Sequence, residues 1–457
     1  MKIPHPSHGL ILALALWTSP ACAQAPDQAS LQQEIQELRK RLADLEARVQ
    51  ASNTEAKPTV PVDRLLPAPS NGAGVTADID GFRIKSNDGN FALKIGADLQ
   101  MDVRTFAGDG DAGTTDQALL RRVRPTFSGT VYKDIDFFFR PDFGQGTTVI
   151  YDAYVQYNYF PHVNLRVGKF KPPVGLERLQ SDDDTTFVER GLPTLLAPSR
   201  DIGVQFAGDL LHRRVGYQLG VFNGVPDNGL SDTSPSSHRD YAARVFLTPF
   251  LPENENPLSG LGIGLGASGG NVDGIALPSY KTFGQNSFLT FASGVTSAGH
   301  RTRLAPQAYY YLGPFAVLTE YTLSEEEFQK SNVRHDIAFR AWQVEASYIL
   351  TGEKKGFLSP TPGHNFDPKN HGWGAWEVAV RTGDFSADKS LFNYGFASTL
   401  TSPRTDREWV AGVNWYLNRL VRTSIDYGHS KFGGGAPGVL NKLPEQVIIL
   451  RFQLNFI

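Results

Sequence analysis

Two short stretches carry the spacing of a catalytic or phosphate-binding device. Gly266-Ala267-Ser268-Gly269-Gly270 fits the G-x-S-x-G pattern of a serine nucleophile. That chemistry needs a sharp strand–turn–helix around the serine. Gly433, Gly435 and Gly438 fit G-x-G-x-x-G, which holds a pyrophosphate only where a helix N-terminus follows. Neither context is present. Glycine-rich alternation surrounds Ser268, and Pro437 stands inside the second pattern with no helical period after it. The ten histidines form no H-E-x-x-H and no close pair, so spacing supports no zinc site. No catalytic residue, metal or cofactor is expected.

The residue type that recurs with chemical purpose is arginine. Arg104, Arg122, Arg124, Arg140, Arg166, Arg244, Arg381, Arg422 and Arg451 all fall on the polar phase of alternating segments. Guanidinium is permanently charged and forks onto phosphate oxygens, so a staircase of such groups can hand an anion from site to site. Asp98, Asp102, Asp136, Asp142, Asp152, Glu345, Glu377 and Asp426 share that phase. The charge census is nearly balanced, and counting alone leaves the ion preference open.

The segments that position these groups read as strands. In Ile448–Phe456 the residues Ile448, Leu450, Phe452, Leu454 and Phe456 alternate with Ile449, Arg451, Gln453 and Asn455. Strict alternation gives one greasy and one polar face. Sixteen such segments start near residues 91, 119, 134, 149, 162, 201, 214, 239, 260, 301, 314, 335, 373, 405, 420 and 446. Short turns such as Phe160-Pro161-His162 alternate with long connections such as 105–118, 171–200 and 225–238. An even strand number with short turns at one end and long loops at the other is the transmembrane barrel pattern. The greasy faces then meet lipid, the polar faces a wet lumen, and the last strand closes against the first. A soluble β-sandwich or propeller would also alternate, but no fixed-period blade repeat is present. The expected fold is all-β: a 16-stranded transmembrane antiparallel β-barrel with an N-terminal short α-helical coiled coil.

Bulk composition agrees. The chain has 457 residues, 45 glycines, 11% aromatics and a net charge of −3; this favours strands and turns and gives no basic field for nucleic acid. Residues 1–23 read as a signal peptide: Lys2, the apolar run Leu10–Trp17, and Ala21-Cys22-Ala23 before cleavage at Gln24. Ser19 argues against lipidation of Cys22, the chain's one cysteine. Nothing later approaches the roughly 20 apolar residues of a membrane helix. Residues 24–50 form a coiled-coil segment, with Ile35, Leu42 and Val49 at a and Leu31, Leu38 and Leu45 at d. Residues 51–80, with Pro58, Pro61, Pro67 and Pro69, read as a flexible linker, and 81–457 as the barrel. The destination is the outer membrane of a Gram-negative cell.

Residues 80–457 resemble the phosphate-selective porin O and P family. The likeness is carried by Leu119-Leu120-Arg121-Arg122-Val123-Arg124 through Phe127-Ser128-Gly129, and by Val167-Gly168-Lys169-Phe170-Lys171-Pro172 with Gly175-Leu176-Glu177 and Glu189-Arg190. Leu350-Thr351-Gly352-Glu353 and Gly372-Trp373-Gly374-Ala375-Trp376-Glu377 complete it. The resemblance implies a trimeric outer-membrane channel, embedded in lipid, passing phosphate or polyphosphate along arginines to a constriction of inward-folded loops. On that reading residues 171–200 are the constriction loop, Arg178 and Arg190 its anion ligands, Ser181 a hydroxyl donor, and Lys169 and Lys171 its root. Asp182-Asp183-Asp184 departs from it, because three carboxylates repel phosphate unless arginines absorb them. Ile457 departs too, since barrels of this kind end on the aromatic itself. Two other readings stand beside the anion channel: a weakly selective general porin, and a structural tether between outer membrane and cell wall.

Overall fold

In a bilayer, alternating strands leave no backbone group unpaired only when the sheet closes on itself. The computed structural model of the chain describes residues 36–37, 39–44, 73–78, 81–107, 114–234, 236–251, 256–274, 277–434 and 444–456. The chain divides into two units, residues 1–70 and 71–457. In the first, residues 36–37 and 39–44 are helical and exposed, and Arg41 Nη2 donates to Glu37 Oε1 one turn away at 2.8 Å. Residues 1–23, expected to be a signal peptide, and most of the expected heptad seam lie outside the described residues.

The second unit carries the barrel. Its strands are β1 (Phe91–Phe106), β2 (Gln117–Val131), β3 (Ile135–Asp142), β4 (Val149–Phe160), β5 (Val163–Phe170), β6 (Asp201–Leu210), β7 (Val215–Phe222) and β8 (Asp240–Leu247). They continue as β9 (Leu261–Asp273), β10 (Val295–Leu312), β11 (Phe315–Lys330), β12 (Val333–Ile349), β13 (Ala375–Ala387), β14 (Thr405–Tyr416), β15 (Val421–Gly433) and β16 (Glu445–Asn455). Each pairs antiparallel with the next, and β16 closes on β1 with Leu450 opposite Val103 and Asn455 opposite Asp98.

The burial pattern is that of a membrane protein turned outward. Leu450 and Phe452 are 41% and 46% exposed, while Arg451 between them is fully buried. Arg124, Arg200, Arg301, Arg381 and Arg451 are among the largest fully buried side chains. A soluble domain places these residue types the other way round. The outer face therefore meets hydrocarbon, and the inner face packs against folded-in chain.

Three segments fill the lumen: residues 171–200, a small hairpin (Tyr280–Lys281 against Ser287–Leu289), and part of the connection 350–374. Wall glycines make room for them. A Cβ at Gly412 would stand 3.2 Å from the Phe187 ring, and one at Gly428 would lie 2.3 Å from the Phe283 ring. Phe187 and Phe283 pack in one cluster with Val188, Val410, Val447 and Ile449. Nearer the long-loop end, Leu192, Leu195 and Leu196 pack with Tyr280, Phe288 and the wall residues Phe328, Phe339 and Phe385.

Three expectations need correction. Gly74–Asp78, assigned to the linker, is a strand paired with Gly81–Lys85, which itself pairs with β1 from Phe82 opposite Ile95 to Lys85 opposite Ala92. The linker prolines stop at Pro69, and the alternation Val75/Ala77 and Phe82/Ile84 takes over. Strand β10 begins at Val295 rather than near residue 301, because a register shift between Ser297 and Arg301 hides the alternation. Loop lengths also break rank: β11 and β12 are joined across Ser331-Asn332 at the long-loop end, while 350–374 is a long connection at the short-turn end.

Candidate pore constriction

Residues 171–200 run through the barrel interior between β5 and β6, and wall carboxylates receive their backbone. Leu176 N donates to Glu320 Oε2 at 2.5 Å, and Val188 N to Asp426 Oδ2 at 2.8 Å. Within the loop, Gly191 N donates to Glu177 Oε2 at 2.9 Å. A buried N–H left unpaired costs about 1–3 kcal/mol, so these acids fix the loop path. From below, the connection 350–374 props it. Gln180 Nε2 donates to the Phe357 carbonyl at 2.6 Å, Ser359 N donates to Asp184 Oδ1 at 2.8 Å, and Lys355 Nζ pairs with Glu377 at 2.7 Å.

Two loop carboxylates gather the arginines. Asp182 accepts hydrogen bonds from Arg190 and Arg124, with Arg122 at 3.5 Å and Arg200 at 4.0 Å. Glu189 accepts from Arg121 Nε at 2.5 Å, Arg104 Nη2 at 3.0 Å and Arg451 Nη2 at 3.3 Å. Burial alone would raise both carboxyls. The surrounding guanidiniums, Arg190 foremost for Asp182 and Arg121 for Glu189, instead hold them well below the usual carboxylate range. The aspartate triplet is thus divided. Asp182 is neutralised by arginine, Asp183 accepts from the Ser181 hydroxyl at 3.1 Å, and Asp184 caps Ser359.

A β-bulge supplies the arginine that alternation hides. Gln100 pairs with Arg122 but its neighbour Met101 pairs with Leu120, which leaves Arg121 as the extra residue of β2. Such a bulge re-aims side chains. Leu120 and Val123 still face outward, while Arg121, Arg122 and Arg124 all turn to the lumen.

These groups line a cavity of about 270 Å³. Its charged lining comprises Arg121, Arg122, Arg124, Arg178, Arg190 and Lys281 against Asp142, Glu189 and Glu408, six cations to three carboxylates. Arg178 has no carboxylate partner among the described residues; it donates to the Thr194 carbonyl and to Asn228 Oδ1. Burial and then the charge of Arg190 push its guanidinium down to about 10. Burial and Arg121 likewise lower the Lys281 ammonium from its ordinary value. Tyr151 lies between the guanidiniums of Arg124 and Arg200, each 3.7 Å from the ring centre.

Of the residues singled out from sequence, Arg122, Arg124, Arg178 and Arg190 meet at this cavity. Arg190 is committed to Asp182 and to the Gln180 and Glu177 carbonyls, so it braces the loop. The others lie elsewhere. Lys169 pairs with Asp232 at 2.6 Å, and Lys171 donates to the Gln180 carbonyl at 2.7 Å. Arg104 bonds Asp102 and Glu189, and Arg381 bonds Glu408. Arg140, Arg166 and Arg244 donate to Thr126, Gln156 and Gln307. Sequence reading passed over Arg121, Lys281, Arg200, Arg301 and Arg303. The doublet Arg121-Arg122 was itself the signal of a bulge; the other four sit in connections or near the bulged start of β10. Ser268 lies within β9, accepting from Arg303 Nη1 at 3.3 Å, with no turn or helix around it. A second cavity, of about 320 Å³, lies under the loop between Asp183, Asp184, Ser359, Arg422 and Gln453.

Residues 93–456 match the family described as phosphate-selective porin O and P. The chain belongs to that family. A curated relative, Porin O of Pseudomonas aeruginosa, is 26% identical over 381 residues, covering 77% of this chain and 85% of its own. Among solved structures, the outer-membrane channel DcaP of Acinetobacter baumannii aligns with TM-score 0.53 at 12% identity, over 81% of this chain and 99% of that one. An anion-selective porin from Comamonas acidovorans aligns with TM-score 0.52 at 11% identity, over 80% and 100%. These two likenesses are of fold. As a member of the porin family the chain is an outer-membrane channel, and its loop 171–200 is one of three segments that fill the lumen.

Proposed function

We propose that the channel passes small inorganic anions of the phosphate class by passive diffusion, and that Arg178, Lys281, Arg121 and Arg122 form the anion station. The observation that carries this reading is the six-to-three excess of cationic side chains around the cavity above the loop. The relatives named for phosphate and anion selectivity point the same way. Along the sequence the acids nearly balance the arginines. In space several of those acids pair with cations away from this cavity, as Asp102 does with Arg451, Asp152 with Arg200 and Glu377 with Lys355, and the cavity lining itself keeps a cation excess. A station in a pore has to attract an ion and still release it. Guanidiniums already sharing Asp182 and Glu189 hold an anion less tightly than bare ones would.

The functional unit in this reading is a homotrimer, exported by cleavage before Gln24 and embedded in outer-membrane lipid, acting without catalysis or cofactor. The test is the reversal potential of the purified channel in a planar bilayer under a potassium chloride gradient, followed by phosphate titration of the chloride current. An anion-signed potential and progressive phosphate block are expected. A potential near zero would favour the weakly selective porin instead, and a cation-signed one would reject the assignment.

A further inference from the structure

Outside the pore, three strands bring metal-ligating groups together at the rim. His300 on β10, Glu327 on β11 and Asp336 on β12 point to the outer face at the long-loop end of the barrel. One ligand atom from each lies within 4.8 Å of the others. We propose that His300, Glu327 and Asp336 form a binding site for a divalent cation of the Zn2+ class.

The spacing leaves room for a metal between the three side chains. His300 Nδ1 stands 3.9 Å from Glu327 Oε2, and Nε2 stands 3.6 Å from Asp336 Oδ1. Both separations are too long for hydrogen bonds. One imidazole nitrogen binds one ion; with one ligand atom taken from each residue, all three lie within 4.8 Å of one another. A modest rotation of these side chains brings them to the roughly 3.4 Å that separates two ligands on a tetrahedral ion with bonds of about 2.1 Å. Arg334 Nη1, the neighbouring cation, is 3.9 Å from Glu327 Oε1 and so does not fill the space with a bond either. One imidazole with two carboxylates is a borderline donor set that suits zinc better than magnesium or calcium.

The backbone is shaped around this cluster. The register shift between Ser297 and Arg301 places Gly299 at φ +106°, and a Cβ there would fall 1.8 Å from Glu327 Oε2. Only a residue without a side chain lets the Glu327 carboxylate lie across the strand towards His300. The site would tie β10, β11 and β12 together beside the short turn Ser331-Asn332. No sequence motif announces it, because each ligand comes from a different strand.

The experiment uses the full chain, free of any polyhistidine tag, assembled in detergent micelles. Zn2+ alone is titrated calorimetrically into the parent, His300→Ala and Asp336→Asn, with reversal potential confirming intact channels. One equivalent per chain is expected for the parent, with at least tenfold weaker affinity in both variants and unchanged reversal potential. Cu2+ substitution should give an electron paramagnetic resonance spectrum with one nitrogen ligand that His300→Ala removes. Should His300→Ala not assemble, Asp336→Asn decides alone. Equal Zn2+ uptake by parent and variants, or none by the parent, overturns the site.

Discussion

Asp182 is the carboxylate on which four guanidiniums converge, and its substitution separates two roles for the aspartate triplet. If those acids merely opposed anions, neutralising any one would raise anion preference. Asp182 is fully enclosed by arginines, and removing one partner of a buried ion cluster costs about 3–5 kcal/mol by leaving charge uncompensated. Asp182→Asn should therefore loosen the loop, increasing open-channel current noise, with assembly yield kept by the strand ladder. Asp183→Asn, which faces the lower cavity, should leave the noise unchanged. Single-channel recording of both variants checks this, and equal noise would contradict the anchoring role. The sign of the pH effect follows. A carboxyl held below its unfolded value contributes stability above that value, and loses it only as pH falls through the lower, folded value. The loop should stay in place at pH 4. Lys281 behaves oppositely in function: its lowered pKa means its charge leaves before the ordinary lysine range near 10.5. Anion preference should thus begin to decline before the ordinary lysine range is reached, and Lys281→Gln should reduce the earliest part of that decline in reversal-potential measurements.

At the scale of the strand, alternation carried most of the fold. Fifteen of the sixteen strand starts were legible within about two residues, because each outward position must be apolar and each inward one wet or bonded. What period two cannot register is an extra residue. The bulges at Arg121 and at Ala298-Gly299 shift the phase locally, so that strict alternation fails to place Arg121 in the pore and starts β10 too late. The site was legible in type but not in place. Arg178 and Arg190 did come to one cavity, yet which arginines are spent on carboxylates depends on the path of a 30-residue loop, and no local spacing encodes that. The same limit applies to Gln453. It is bonded to Arg422 and to the Asp183 carbonyl rather than simply wet. A fair comparison of the two faces therefore sets Phe452→Glu against Gln156→Glu. Phe452 faces hydrocarbon, where a mid-bilayer charge costs about 2–4 kcal/mol for Arg or Lys and less for an acid. Gln156 accepts from Arg166, so a carboxylate there gains a partner. Heat-modifiable gel migration should show impaired assembly for Phe452→Glu and parental assembly for Gln156→Glu.

For the whole molecule the open matter is what the first unit adds. The barrel closes through β16 and β1, and the hairpin Gly74–Lys85 continues the seam below them, with Phe82 edge-on to Phe456 at 6.2 Å. All sixteen barrel strands and the loop 171–200 lie in residues 71–457. Three heptads of a/d residues are marginal as an isolated helix; they become a coiled coil only when another contact already holds the chains near one another. In the proposed trimer, barrels associated in the membrane would provide that proximity, and a seam shared by three helices would in turn raise the effective concentration of the subunits. Deletion of residues 24–70, with the signal segment kept and the hairpin intact, should preserve single-channel conductance and reversal potential. The oligomer should dissociate at a lower temperature in native electrophoresis after graded heating. Unchanged dissociation would show that the heptads do not join subunits and would favour a tether to the cell wall. Lost conductance would show that the first unit belongs to the pore after all.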